Sequence, residues 1–203
     1  TRFCLSRGLG DVYKRQLLLR RVFVFRDLDK DLTMKEKLLE LSKEELVDLL
    51  ELSSKNIVAM DGVWFQTLEE AIGMDKAMDY DAEAWRRYSP AEARRLKKYY
   101  HMEEHPGLKG LEKALIVGYS TLANQTSIVW EGDSLIYRVD VCRVQAARSR
   151  KGMEFHPCKR VGLIEYQGFA RAIDDRIECE CVSCYPDITD DTCSCAWKFT
   201  INQ

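Results

Sequence analysis

Hydrophobic positions recur every three to four residues through the first half of the chain and every second residue through much of its last third. Leu46, Leu49, Leu50, Ile57, Val58, Val63 and Trp64 keep a helical period. The helix they predict begins at Ser42-Lys43-Glu44-Glu45, a capping box in which the serine and the glutamate three residues later satisfy free backbone amides. It runs to about Ile72, where Gly73 closes it. A second helix is expected from roughly Asp75 to Tyr88. A third opens with Ser89 as N-cap, Pro90 at the first helical position and Glu92 completing another capping box. The breaker "EEHPG" stops it, and a fourth helix is expected over about Leu108 to Asn124.

After that the period changes. "TSIVWEGDSLIYRVDVC" predicts a β-hairpin, with strands Ser127–Trp130 and Leu135–Val141 joined at Gly132-Asp133. "CKRVGLIEYQGFARAID" reads as a helix in which Gly162 and Gly168 let another backbone come close. "RIECECV" and "CSCAWKFTI" then alternate as strands across the loop "SCYPDITDDT". Together these elements predict an α+β fold. An N-terminal helical layer packs on a small antiparallel sheet of about four strands, ending in a cysteine-rich strand pair.

With 203 residues the chain has room for one domain with a proper core, not two. Residues 1–33 stand apart from the pattern. "DVYKRQ" (Asp11–Gln16) resembles the translated end of a transposon used in sequencing libraries, and Met34 is the expected start of the native chain. The competing reading is an authentic arm whose strand Arg21–Arg26 joins the sheet. The single domain is therefore expected over residues 34–203.

Setting residues 1–33 aside changes the charge picture. The whole chain carries 31 basic and 33 acidic residues; without the eight basic and four acidic ones of that segment, 23 face 29, a net charge of −6. An acidic domain without a large basic stripe is a poor partner for nucleic acid or an anionic membrane. No run approaches the roughly 20 apolar residues of a membrane helix. One local basic run, Arg143, Arg148, Arg150, Lys151, Lys159 and Arg160, reads either as a grip for an anionic ligand or as a solvated face.

Five of the eight cysteines fall between Cys179 and Cys195. Without a secretory signal pattern, clustered thiols point to a reducing, cytoplasmic setting and to metal binding or chemistry. Residues two apart in a strand share a face, so Cys179 pairs with Cys181 and Cys193 with Cys195. Cys181-Val182-Ser183-Cys184 is a C-x-x-C at a strand end, and a hairpin would return Cys193 or Cys195 to it. Cys158, opening a helix after His156-Pro157, would supply a fourth thiolate. The predicted metal ligands are Cys158, Cys181, Cys184 and Cys195, with Cys142 in reserve and Cys179 and Cys193 as bystanders. Four thiolates suit zinc or an iron–sulfur cluster alike. The alternatives are small core residues, thiol redox chemistry at the C-x-x-C, and a Cys nucleophile with His156 as its base.

Four stretches, "AMDGVWFQTLEEAIGMDKAMDYDAEAWRRY", "VDVCRVQAARSRKG", "HPCKRVGLIEYQGFARAID" and "CVSC…CSCAWKF", resemble an uncharacterised family of prokaryotic cytosolic proteins. That family is similar to the L-2-amino-thiazoline-4-carboxylic acid hydrolase-like proteins. A more distant resemblance is to four-vinyl-reductase domains, hydrocarbon- or small-ligand-binding modules, some of which hold zinc. The second resemblance maps onto Cys158, Gly162, Gly168, Glu178, Cys181 and Cys195, and implies that Glu178 could replace Cys184 as a ligand.

For a ligand pocket the sequence offers Trp64, Trp85 and Tyr88, whose spacing serves plain core packing equally well. Arg143 and Gln145, read as a strand end, could grip a carboxylate. Glu69, Glu70, Asp79 and Asp81 fit either acid–base roles or a charged solvent face. Three functions follow. The first is a metal-binding domain, zinc or iron–sulfur, that binds a small organic ligand. The second, carried by the resemblance, is a hydrolase acting on a C–N bond of a small heterocyclic or amide substrate. The third is an iron–sulfur electron-transfer or accessory protein. P-loop, G-x-S-x-G and G-x-G-x-x-G signatures are absent, which removes nucleotide hydrolase, serine hydrolase and Rossmann readings.

Overall fold

The computed structural model describes residues 33–201; the expectations for the segment before Thr33 lie outside them. The chain divides into two compact units, Thr1–Ser42 and Lys43–Gln203. In the described part of the first unit, helix α1 (Met34–Leu39) carries a capping box. The Glu36 N–H donates to Thr33 Oγ1 at 3.2 Å, and the Thr33 N–H donates to Glu36 Oε2 at 2.7 Å.

The second unit is α+β. Its helices are α2 (Lys43–Ile72), α3 (Met74–Tyr99), α4 (Gly107–Ile116), α5 (Tyr119–Ala123), α6 (Arg143–Arg150) and α7 (Lys159–Ile173). Strands β1 (Gln125–Glu131), β2 (Ser134–Val141), β3 (Ile177–Cys184) and β4 (Cys195–Ile201) form one antiparallel sheet in the order β1-β2-β4-β3. Among the described residues, no helix is long and apolar enough to cross a membrane.

The core lies on one face of that sheet. Leu135, Tyr137 and Val139 of β2 pair side by side with Phe199, Trp197 and Cys195 of β4. All but half-buried Cys195 are closed off from solvent. Helices α4 and α7 supply the facing side chains Leu111, Phe169 and Ile173. Gly162 is what lets α7 come this near: a Cβ there would stand 2.5 Å from Trp197 Cζ2, so only a hydrogen fits.

Two expected helix boundaries and one expected strand end change. The two helices foreseen on either side of Ser89 are one, because α3 runs through Pro90. Ser89 is buried, and its hydroxyl donates to the Trp85 carbonyl at 2.9 Å instead of capping anything. Pro90 packs toward Gly168 of α7, where a Cβ would meet the ring at 3.3 Å. Tertiary packing here overrides a strong local start signal. Glu92, expected to complete a capping box, instead accepts from the Tyr119 N–H at 3.1 Å. The helix expected over 108–124 breaks at Gly118, whose backbone is extended, into α4 and α5. Arg143 and Gln145 belong not to a strand end but to α6, with Cys142 at its N-cap.

Candidate functional site

β3 carries a bulge between Cys181 and Ser183. Cys181 lies opposite Trp197, Ser183 opposite Ala196, and Cys184 opposite Cys195, so Val182 is the extra residue. Strand alternation alone would put Cys181 and Cys184 on opposite faces. The bulge turns Cys184 onto the face that holds Cys181, Cys195 and Trp197, against the start of α7, where Cys158 is the N-cap. The thiols of Cys158 and Cys195 both act on that of Cys184, as does that of Cys181. Neighbouring thiol Cys158, with burial, raises the Cys184 pKa; contact with Cys184, then burial, raises that of Cys195; burial raises that of Cys181. These three sulfurs are held as neutral thiols.

Cys158, Cys181 and Cys195 thus each interact with Cys184. Among the described residues, however, the group whose ligand atoms all lie within 4.8 Å of one another is His105, Asp174 and Asp175. Asp174 there is engaged by Arg176, at 3.0 and 2.8 Å, and by the Gly107 N–H. Glu178 does not reach the thiols: it lies opposite Thr200, toward the far end of β3, in an ion pair with Arg171. Cys142 lines the cavity described next, and burial raises its pKa. Burial likewise raises the pKa of Cys179, and pushes Cys193, which sits beside Asp190, up to about 11.

A cavity of about 310 Å³ opens between α2, α3, α6, α7 and β4. Phe65, Trp85, Tyr119, Tyr166 and Trp197 form its aromatic wall. Trp85 stacks on Tyr119, with ring centroids 5.6 Å apart. Trp64, expected here, points elsewhere and is 63 % exposed; one step round the helix, Phe65 takes the inward position. Arg143 lines the cavity and Gln145 supports it from behind, as the next contacts show.

Cys158 and His156 face this space together. Cys158 Sγ lies 3.1 Å from His156 Nδ1. The other ring nitrogen, Nε2, is 3.4 Å from Asp81 Oδ2, and both residues are buried. The Phe65 ring packs edge-on to the imidazole at 4.5 Å and fixes its plane. Gln145 is tied to the same turn. Its carbonyl accepts from the His156 N–H at 3.0 Å, and its amide nitrogen donates to the His156 carbonyl at 2.7 Å and to Cys158 Sγ at 3.3 Å.

Asp81 had read as part of a charged solvent face. Asp79 and Glu70 do lie at the surface, but Asp81, two positions on, turns inward. Glu69 is also structural. It takes both guanidinium nitrogens of Arg148 at 2.7 and 2.8 Å, and that arginine is 2 % exposed. The basic run is therefore not one surface. Arg148 is a buried strut between α2 and α6, whereas Arg143, Arg150 and Lys151 are exposed.

Residues 37–201 match the family of unknown function DUF6125. The chain belongs to that family. No curated protein and no solved structure matches it. Family membership therefore brings no chemistry with it, and function has to be argued from the cavity.

Proposed function

We propose that the protein is a cysteine-dependent hydrolase acting on a carbon–nitrogen bond of a small substrate, with Cys158 as nucleophile. The observation that carries this reading is the Cys158–His156–Asp81 series on the wall of a cavity lined by aromatic rings. A thiol beside an imidazole that a carboxylate orients is the general form of an activated nucleophile. The sequence resemblance to the amino-thiazoline carboxylic acid hydrolase-like proteins agrees with this reaction class.

In the reaction, His156 Nδ1 takes the Cys158 proton as the sulfur bonds to the trigonal carbon of the substrate. Asp81 holds the Nε2–H side of the ring and stabilises the imidazolium. The Gln145 amide favours charge on the sulfur. His156 then returns the proton to the departing nitrogen, the C–N bond breaks, and a thioester or thioimidate to Cys158 remains. Water, deprotonated by His156, adds to that carbon and displaces the sulfur. The products are an amine and a carbonyl compound, and the thiol is restored.

Alkylation by iodoacetamide tests this without knowledge of the substrate. Cys158 is expected to react at least about tenfold faster than the other described cysteines, and H156Q to remove that advantage. A Cys158 rate equal to that of free glutathione, unchanged by H156Q, would sink the proposal. With a panel of small amides and cyclic C–N compounds, C158S is expected to abolish turnover while leaving the melting temperature within a few degrees.

A second reading draws on the thiols around Cys184. Cys158, Cys181, Cys184 and Cys195 would hold zinc or an iron–sulfur cluster once their protons are displaced. The two readings compete for one sulfur, since Cys158 bound to metal is not free to attack. Elemental analysis and the visible spectrum of anaerobically purified protein separate them. One equivalent of metal, together with a Cys158 that resists alkylation, supports the second; metal-free protein with a reactive Cys158 supports the first.

A further inference from the structure

The cavity that holds Cys158 also holds more carboxyl groups than the proposed reaction uses. Asp61 of α2 and Glu165 of α7 both line it, alongside Asp81. No protein group forms a hydrogen bond or ion pair with either side chain among the described residues. Glu165 feels the charges of Glu92, Asp61 and Asp81, all of the same sign. Asp61 feels Asp81, with His156 as the single opposing influence.

Arg143, Arg148, Arg150 and Lys151 line the same cavity, but none of them pairs with Asp61 or Glu165. Arg148 is locked to Glu69, Lys151 donates to Gln66 at 2.8 Å, and Arg143 and Arg150 are exposed residues of α6. Burial is the main reason the Asp61 pKa stands at about 6 and that of Glu165 at about 8. Grouping like charges in a poorly hydrated space is unfavourable unless something in that space compensates them. None of the cavity's cations forms an ion pair with Asp61 or Glu165, and the cavity has room for a small organic molecule.

Resting on the hydrolase reading, we infer that the substrate carries a cationic, hydrogen-bond-donating group, an amidinium or protonated amine, held between Asp61 and Glu165 beside Cys158. Such a group explains why unpaired carboxyls and a nucleophile share one cavity. Bound beside these carboxylates, its charge would be offset and its N–H groups would find acceptors. The aromatic wall formed by Trp85, Tyr119 and Tyr166 would cover its flat or apolar remainder. An amidinium carbon placed there is itself a trigonal carbon bonded to nitrogen, the kind of centre the Cys158 sulfur would attack.

Three isosteric probes of different charge test this on the full chain: benzamidine, benzamide and benzoate. By isothermal titration at pH 8.5, benzamidine is expected to bind at least about tenfold tighter than benzamide, with benzoate weakest. D61N and E165Q are each expected to reduce benzamidine affinity about fivefold or more while leaving benzamide within about twofold. The two variants sit on different helices, so misfolding of one leaves the other informative. Benzamide or benzoate binding as tightly as benzamidine would overturn the inference. So would an undiminished benzamidine affinity in both variants, or no binding of any probe at millimolar concentration. A failure of the hydrolase reading looks different: Cys158 alkylates no faster than glutathione, yet benzamidine keeps its preference and its dependence on Asp61 and Glu165.

Discussion

His156 is placed by four neighbours acting together: Gln145 at its backbone, Phe65 at its ring face, Asp81 at one nitrogen and Cys158 at the other. Such contacts hold a ring nitrogen ready for proton transfer without a conformational search. Each can be removed singly. D81N is expected to leave the fold intact and lower the alkylation rate of Cys158 by about tenfold or more, since the ring loses the carboxylate that balances its charge. Glu69 and Arg148 answer a different question. E69Q leaves a guanidinium buried without its countercharge, and a loss on the order of 3 kcal/mol is expected in urea denaturation. Glu165 brings a pH dependence whose direction follows from its folded-state pKa of about 8, raised from 4.5 by burial first and neighbouring carboxyls second. A raised carboxyl contributes stability that is fully present below about 4.5 and lost as the pH climbs through about 8. The ligand-free protein is therefore expected to melt lower at pH 9 than at pH 5. E165Q should recover part of that difference, on the order of 3 kcal/mol at most.

At the scale of elements, the regular patterns were the legible ones. The hairpin at Gly132-Asp133, the helix over 159–173 and the alternation of the last two strands appear in the structure close to where the hydrophobic period puts them. Each of these is decided by burial of one face, and burial leaves a period in the sequence. What the period does not encode is register. The extra residue at Val182 turns Cys184 to the side of Cys181, and no local feature of "CVSC" announces it. Removing Val182 takes out the extra residue and restores plain alternation, and is expected to keep Cys184 on the Cys181 face, opposite Cys195. A thiol titration is then expected to count the same open cysteines as in the parent, whereas one residue inserted between Ser183 and Cys184 would turn Cys184 to the other face and add one. Long-range contacts were equally hidden. Asp81 sits within "MDYDAE", a stretch as polar as any surface turn, and only the packing of α3 on α7 and the 156–158 turn shows which carboxyl goes inward. Pro90 was misread for the same reason, because its packing on α7 outweighs its usual meaning at a helix start.

On the scale of the whole second unit, the sheet and the helices do different jobs. The sheet face, with Leu135, Tyr137 and Phe199 at 0 % exposure, is a closed core. The helices meet that face unevenly, and the space they leave is where Cys158, His156 and Glu165, from α7 and the turn before it, meet Asp61 of α2. Trp197 belongs to both regions. Its indole fills the core, walls the cavity, and lies flush against the α7 backbone at Gly162. Position 162 thereby governs the internal dimensions of the chamber. One added methyl group would drive the indole aside, and the open side is the chamber itself. G162A is accordingly expected to tolerate folding, with a penalty of about 1–3 kcal/mol, while excluding guests the size of a benzene ring. Larger guests would be turned away first, which makes a single hydrogen atom on α7 the measure of what the protein can admit.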